Sequence, residues 1–168
     1  MRKTKILWTL QSWNPMTGCS KASAGCDNCY AENMACRLRG MGVAKYANGF
    51  TPTCHPQCLN EPFTWKEPTL VFVPSMGDLF HPEIPDEFIE KVIETIEKTP
   101  QHTYQILTKR PSRMAQFFTT HAIPDNAWLG TSVENAAVVH RIETLKNIDT
   151  LRRFLSMEPL IGDLGNIE

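Results

Sequence analysis

Two kinds of apolar pattern alternate along this chain. Residues 70–73 form an unbroken apolar run, Leu-Val-Phe-Val, as expected of a strand covered on both faces. Residues 86–98 instead set Phe88, Ile89, Val92, Ile93 and Ile96 along one helical stripe, between Pro85 and Thr99-Pro100. That spacing predicts a helix with a proline-favoured start and a firm stop. Run and stripe then recur. Strands are predicted at 104–107, 128–131 and 153–156, with helices between them that turn Met114, Phe117 and Phe118, then Val138, Ile142 and Leu145, inward. Upstream, a strand is predicted at 6–9 and a helix at 29–39, the latter stopped by Gly40 and Gly42. Strand–helix alternation of this kind predicts an α/β fold with a parallel sheet and right-handed crossovers. Residues 44–68 break the pattern, with Pro, Gly, Asn, Cys and His scattered without period. A connection of that length reads as a lid or binding loop inserted into a single domain spanning 1–168.

Composition narrows the function classes. With 17 Lys and Arg against 18 Asp and Glu, the net charge is −1, so no broad basic footprint for duplex nucleic acid is present. No apolar run approaches the roughly 20 residues that span a bilayer. The start, Met-Arg-Lys-Thr-Lys, resembles a signal n-region, but the run behind it is too short for an h-region. A cytoplasmic protein is expected. All six cysteines fall within the first 58 residues. In a reducing compartment such a cluster points to metal binding, chemistry or burial rather than a disulfide framework.

Three of these cysteines, Cys19, Cys26 and Cys29, follow the first predicted strand in a loop rich in Gly, Ser and Asn. Small, turn-forming residues let such a loop bring thiols together. Spacing alone leaves three readings open. One is an iron–sulfur cluster with a free coordination position. Another is zinc, with Cys54, His55 and Cys58 supplying further ligands. The last is a set of buried or disulfide cysteines. Polar residues also collect after the other predicted strands: Ser75 and Asp78; Lys109 and Arg110; Ser132, Glu134 and Asn135; Ser156 and Glu158. Parallel α/β sheets and barrels place their ligands at that edge.

These segments together carry a resemblance. Trp13-Asn-Pro, Gly18-Cys19, Gly25-Cys26 and Cys29-Tyr-Ala31 are joined by Ser75-Met-Gly-Asp-Leu-Phe-His81 and Leu107-Thr-Lys-Arg-Pro111, then by Gly130-Thr-Ser-Val-Glu134 and Ser156-Met-Glu-Pro-Leu160. The set resembles the radical S-adenosylmethionine (radical SAM) superfamily, and more closely an uncharacterised phage and bacterial family with radical-SAM-like features. The resemblance implies a partial (β/α) barrel of about five parallel strands, ending before the last βα unit. It implies a 4Fe–4S cluster on Cys19, Cys26 and Cys29, with S-adenosylmethionine chelated at the open iron. A reduced cluster of that type generates a 5′-deoxyadenosyl radical that abstracts hydrogen from a substrate. Among rim residues, Asp78 is then expected to receive the cofactor's amino group, and Lys109 or Arg110 its carboxylate. Ser132, Glu134 and Asn135 are expected at the ribose, and Glu158 at the same site. Each also has an ordinary alternative as a turn, cap or solvated loop residue. Two positions depart from the superfamily: six residues separate Cys19 from Cys26 where three are usual, and Asn28 stands where an aromatic is frequent.

The implied partners are a substrate of open class, nucleic-acid-related compounds included, and an electron donor such as flavodoxin or ferredoxin. A second copy or another protein is expected to cover the open sheet edge, and no membrane is involved. Two other classes stay open: a zinc-stabilised binding module, as in a phage accessory protein, and an iron–sulfur protein that does not cleave the cofactor. Of the remaining groups, Cys36 reads as a small buried residue on the first helix and His81 as a rim histidine that donates a proton or packs. Trp13 reads as cover for the cysteine loop or as core.

Overall fold

A computed structural model describes residue 4 and residues 6–167 of the chain. Its main sheet holds five parallel strands: β1 (Gln11–Ser12), β4 (Leu70–Val73), β5 (Thr103–Thr108), β6 (Ala127–Ser132) and β7 (Arg153–Ser156), hydrogen-bonded in that order. Between them lie α1 (Tyr30–Gly40), α2 (Asp86–Glu97), α3 (Pro111–Phe117) and α4 (His140–Lys146). A two-stranded antiparallel ladder, β2 (Met16–Thr17) with β3 (Thr53–Cys54), stands apart from the main sheet. The chain is therefore mixed α/β, and no helix among the described residues is long and apolar enough to cross a membrane.

Register decides which residues of the sheet share a face. Val71, Tyr104 and Ala127 lie side by side, as do Val73, Ile106 and Leu129. All six join the core with Phe88, Ile89, Val92, Ile93 and Ile96 of α2 and with Met114 and Phe117 of α3. Side chains alternate across a strand, so the intervening residues face the other way. These are the row Phe72, Gln105 and Trp128 and the row Leu107, Gly130 and Phe154. Trp8 lies over this second face, its ring 4.6 Å from Phe72 and 6.5 Å from Phe154.

Gly130 is a tight point on that face. A Cβ there would lie 2.4 Å from the Phe154 ring, so the ring would have to swing aside. Gly130→Ala is expected to lower stability by roughly 1–3 kcal/mol. Phe154→Leu in the same chain should recover part of the loss in urea unfolding; no recovery would mean that the strain lies elsewhere.

Several expectations need correction. The strand predicted at 6–9 is a turn, and the pairing strand is Gln11–Ser12, held by its backbone against Val71 and Phe72. Leu7 is fully exposed. Residues 44–68, expected to be irregular, are partly ordered. They contain three short 3-10 turns and β3, and they bury Tyr46, His55, Cys58 and Pro62. Cys36 is exposed rather than buried, because α1 buries only Ala31 and Ala35. Trp13 is core, with no exposed surface, and its indole donates to the Cys58 carbonyl at 2.8 Å.

Candidate functional site

At the C-terminal edge of the sheet, the loops after β1, β4, β5, β6 and β7 surround a cavity of about 400 Å³. Its walls carry the side chains of Cys19, Cys26 and Cys29, with Asp78, Lys109, Arg110, Ser132 and Glu158 around them. Trp8, Phe72 and Leu107 provide apolar surface. All three sequence-predicted cysteines thus reach one space, with seven of the polar candidates close by or lining it.

The cysteine loop reaches the sheet through two glycines. Gly18 adopts φ +88°, and a side chain there would strike the Thr51 carbonyl; only glycine takes that backbone conformation freely. Gly18 bridges Gly77, where a Cβ would lie 2.7 Å from the Gly18 carbonyl oxygen. That close backbone approach sets Cys19 over the end of β4. Asn14 fixes the same corner, its Oδ1 accepting the Ser75 and Met76 amides at 2.8 and 2.9 Å.

Two buried carboxylates then clamp the loop. Asp78 Oδ1 accepts from Thr108 Oγ1 at 2.7 Å and from the Phe80 amide at 3.0 Å. Its Oδ2 accepts from the Lys109 amide at 3.1 Å and from Arg110 Nη1 at 3.0 Å. Arg110 passes the grip on, donating to Cys19 Sγ at 3.3 Å and to the Ser20 carbonyl at 2.9 Å. Glu134 is wholly buried. Its Oε2 lies 3.0 Å from Arg141 Nη1 and 3.6 Å from Lys109 Nζ, while Oε1 accepts from Ser23 Oγ in the cysteine loop. Gly25 rests against the same carboxylate.

These contacts redistribute the expected roles. With four donors on its two oxygens, Asp78 has little capacity left for a ligand ammonium and serves to position Arg110. Glu134 likewise faces inward to protein partners rather than toward a ribose. Asn135 does not line the cavity; its side chain caps the 136–138 turn by accepting from the Ala137 amide, the ordinary alternative. Exposed Glu158, by contrast, lines the cavity with no ion-pair partner among the described residues. His81 is buried, and burial together with Arg110 pushes its pKa down. Its Nδ1 accepts the Glu83 amide, so the neutral ring donates from Nε2 to Ser20 Oγ at 2.7 Å. Asn14 and Thr108 stand within the Trp13-Asn-Pro and Leu107-Thr-Lys-Arg-Pro111 segments, but spacing gave no sign of Ser23 or Arg141. The one available signal is that Arg141 precedes Ile142 and lies four residues before Leu145 on the predicted inward stripe.

Burial pushes the Cys19 thiol up to about 11, and the Asp78 carboxylate adds to the rise against the opposing pull of Arg110. Metal-free Cys19 is therefore protonated at neutral pH. Removing the Asp78 charge takes away a group that disfavours the thiolate, so Asp78→Asn should move the Cys19 alkylation midpoint below 11. It should also cost about 1–3 kcal/mol, since an amide presents a donor to one of the donors now satisfied. An unmoved or raised midpoint would show that Arg110 leaves with the charge.

Cys54, His55 and Cys58 stay apart from this cavity. His55 Nε2 meets Thr17 Oγ1 at 2.8 Å, and Cys58 Sγ meets Lys45 Nζ at 3.2 Å. Among the described residues, no group of three or more His, Cys, Asp and Glu side chains is gathered to hold a single metal ion.

The chain belongs to the family described as protein of unknown function (DUF5131), whose model matches residues 3–168. No curated protein and no solved structure matches it.

Proposed function

We propose that this DUF5131 member is an iron–sulfur protein of the radical SAM type, with a 4Fe–4S cluster on Cys19, Cys26 and Cys29 and S-adenosylmethionine beside it. The observation that carries this reading is that three thiols from one loop line one cavity at the C-terminal edge of a parallel sheet. A polynuclear cluster suits such a set, because each thiolate takes a different iron and the three need not meet at a point. The donor chemistry fits in two further respects. Arg110 offers Cys19 a hydrogen bond that favours thiolate, and ligation by metal removes the proton that burial otherwise retains. A cavity of about 400 Å³ lies within the roughly 300–1,000 Å³ typical of small-molecule sites.

Strand order supports the partial-barrel form of this reading. The sheet advances one strand at a time, β1-β4-β5-β6-β7, without reversing, as successive barrel staves do. When bound, the reduced cluster supplies the electron that cleaves S-adenosylmethionine, drawn from a donor of the flavodoxin or ferredoxin kind. The chain's own residues hold and shield that chemistry. Arg110 fixes Cys19, Ser132 and Glu158 line the cofactor space, and Trp8, Phe72 and Leu107 keep water from it. Lys109, whose ammonium leans on Glu134, lines the same cavity and would pair with a ligand carboxylate.

The test is anaerobic purification, cluster reconstitution and reduction with S-adenosylmethionine. Release of 5′-deoxyadenosine is the expected result. A brown, iron-containing protein that leaves the cofactor intact would reduce the reading to an iron–sulfur protein, and a colourless zinc protein would overturn it.

A further inference from the structure

The segment 44–58 carries a second reactive pair, Lys45 and Cys58, which does not line the cavity. Lys45 Nζ lies 3.2 Å from Cys58 Sγ, and the Asn14 carbonyl accepts from the same nitrogen at 2.7 Å. That second contact matters, because a lysine stem is otherwise free to turn into solvent. Cys58 is 6% exposed, and its carbonyl is held by the indole of fully buried Trp13. Both reacting atoms are therefore held toward one another, and the Cys58 backbone is anchored as well.

We propose that Lys45 and Cys58 form an oxidative cross-link, an N–O–S bridge between Nζ and Sγ. The co-reactant is dioxygen. One N–H bond of the neutral amine and the S–H bond break, while N–O and O–S bonds form around one oxygen atom. The second oxygen leaves as water with two hydrogens, and the amine–thiol pair supplies the four electrons that dioxygen accepts. The nitrogen keeps one hydrogen, so its bond to the Asn14 carbonyl survives. Asn14 also holds the Ser75 and Met76 amides at the cavity wall, so the bridged nitrogen would stay hydrogen-bonded to the corner that carries Cys19. Ordinary thiol oxidation acts on exposed, acidic thiols. Cys58 is neither, since burial pushes its pKa up; a thiol sheltered from bulk oxidants but touching an amine is suited to a cross-link instead.

Peptide mapping of the full chain after aerobic incubation tests this, with or without iron bound. A reducible cross-linked peptide joining residues 45 and 58 is expected, about 14 Da heavier than its two reduced parts, one oxygen gained and two hydrogens lost. It should vanish in Cys58→Ser and in Lys45→Met, and reappear as free peptides after dithiothreitol. Cys58 found only as thiol or sulfenic acid in the unsubstituted protein would overturn the proposal. So would a link about 2 Da lighter than the reduced pair, which lacks the oxygen.

Discussion

Cys26→Ala is expected to retain less than roughly a tenth of the iron and sulfide that the unsubstituted chain takes up on anaerobic reconstitution. A cluster on three thiolates has no spare ligand, so losing one removes a third of its protein attachment. Misfolding is a poor explanation for such a loss. Cys26 is half-buried at the end of a 3-10 turn, where its sulfur accepts from the Ala22 amide at 3.5 Å. Truncations at sites of this kind usually shift stability by no more than about 0.5 kcal/mol. Cys36→Ala is the matched control, a thiol exposed on α1 and outside the cavity wall. It should keep its full iron content. If Cys26→Ala stays brown while Cys36→Ala bleaches, the ligand assignment is wrong.

How far the chain's order announced this site depends on which contacts are local. β4 and β7 were legible because residues 70–73 and 153–156 are bounded runs of strand-forming residues, and both stand where expected. The stripe of α2 was equally plain, and all five of its apolar members are buried. The first strand was misplaced for a physical reason. In the apolar run Ile6-Leu-Trp8 it is Trp8 that packs, over Phe72 on the second sheet face, whereas Gln11–Ser12 pairs through backbone alone and needs no apolar signature. The rim itself could be read from strand ends. What each rim residue does there could not. Asp78 reaches Thr108 across 30 residues and Glu134 reaches Ser23 across 111. No spacing rule sees such pairs, so the sequence carried no trace of the loop contacts that both carboxylates make.

Glu134→Ala is expected to be the most destabilising of the rim substitutions, by about 3–5 kcal/mol in urea unfolding. The carboxylate is wholly buried, and its main partner Arg141 has a side chain only 6% exposed. Deleting the acid leaves that guanidinium without its counter-charge in a dry site, and leaves Lys109 with less reason to stay folded inward. Against a typical total of about 5–15 kcal/mol, the loss should be visible as a large fall in the midpoint. Glu134→Gln retains the shape and the acceptor for Ser23 but drops the charge, so a smaller cost of about 1–3 kcal/mol is expected. The double substitution Glu134→Ala with Arg141→Met separates charge from packing. With both ions gone, it should be more stable than Glu134→Ala alone, giving a coupling of roughly 1 kcal/mol or more. Limited proteolysis supplies the link to the site. Ser23 and Gly25 rest on Glu134, so cleavage within 20–28 should speed up in Glu134→Ala under conditions where the sheet is still folded. A single substitution that costs less than about 1 kcal/mol and leaves the loop protected would mean that Arg110 and Asp78 alone dock the cysteines.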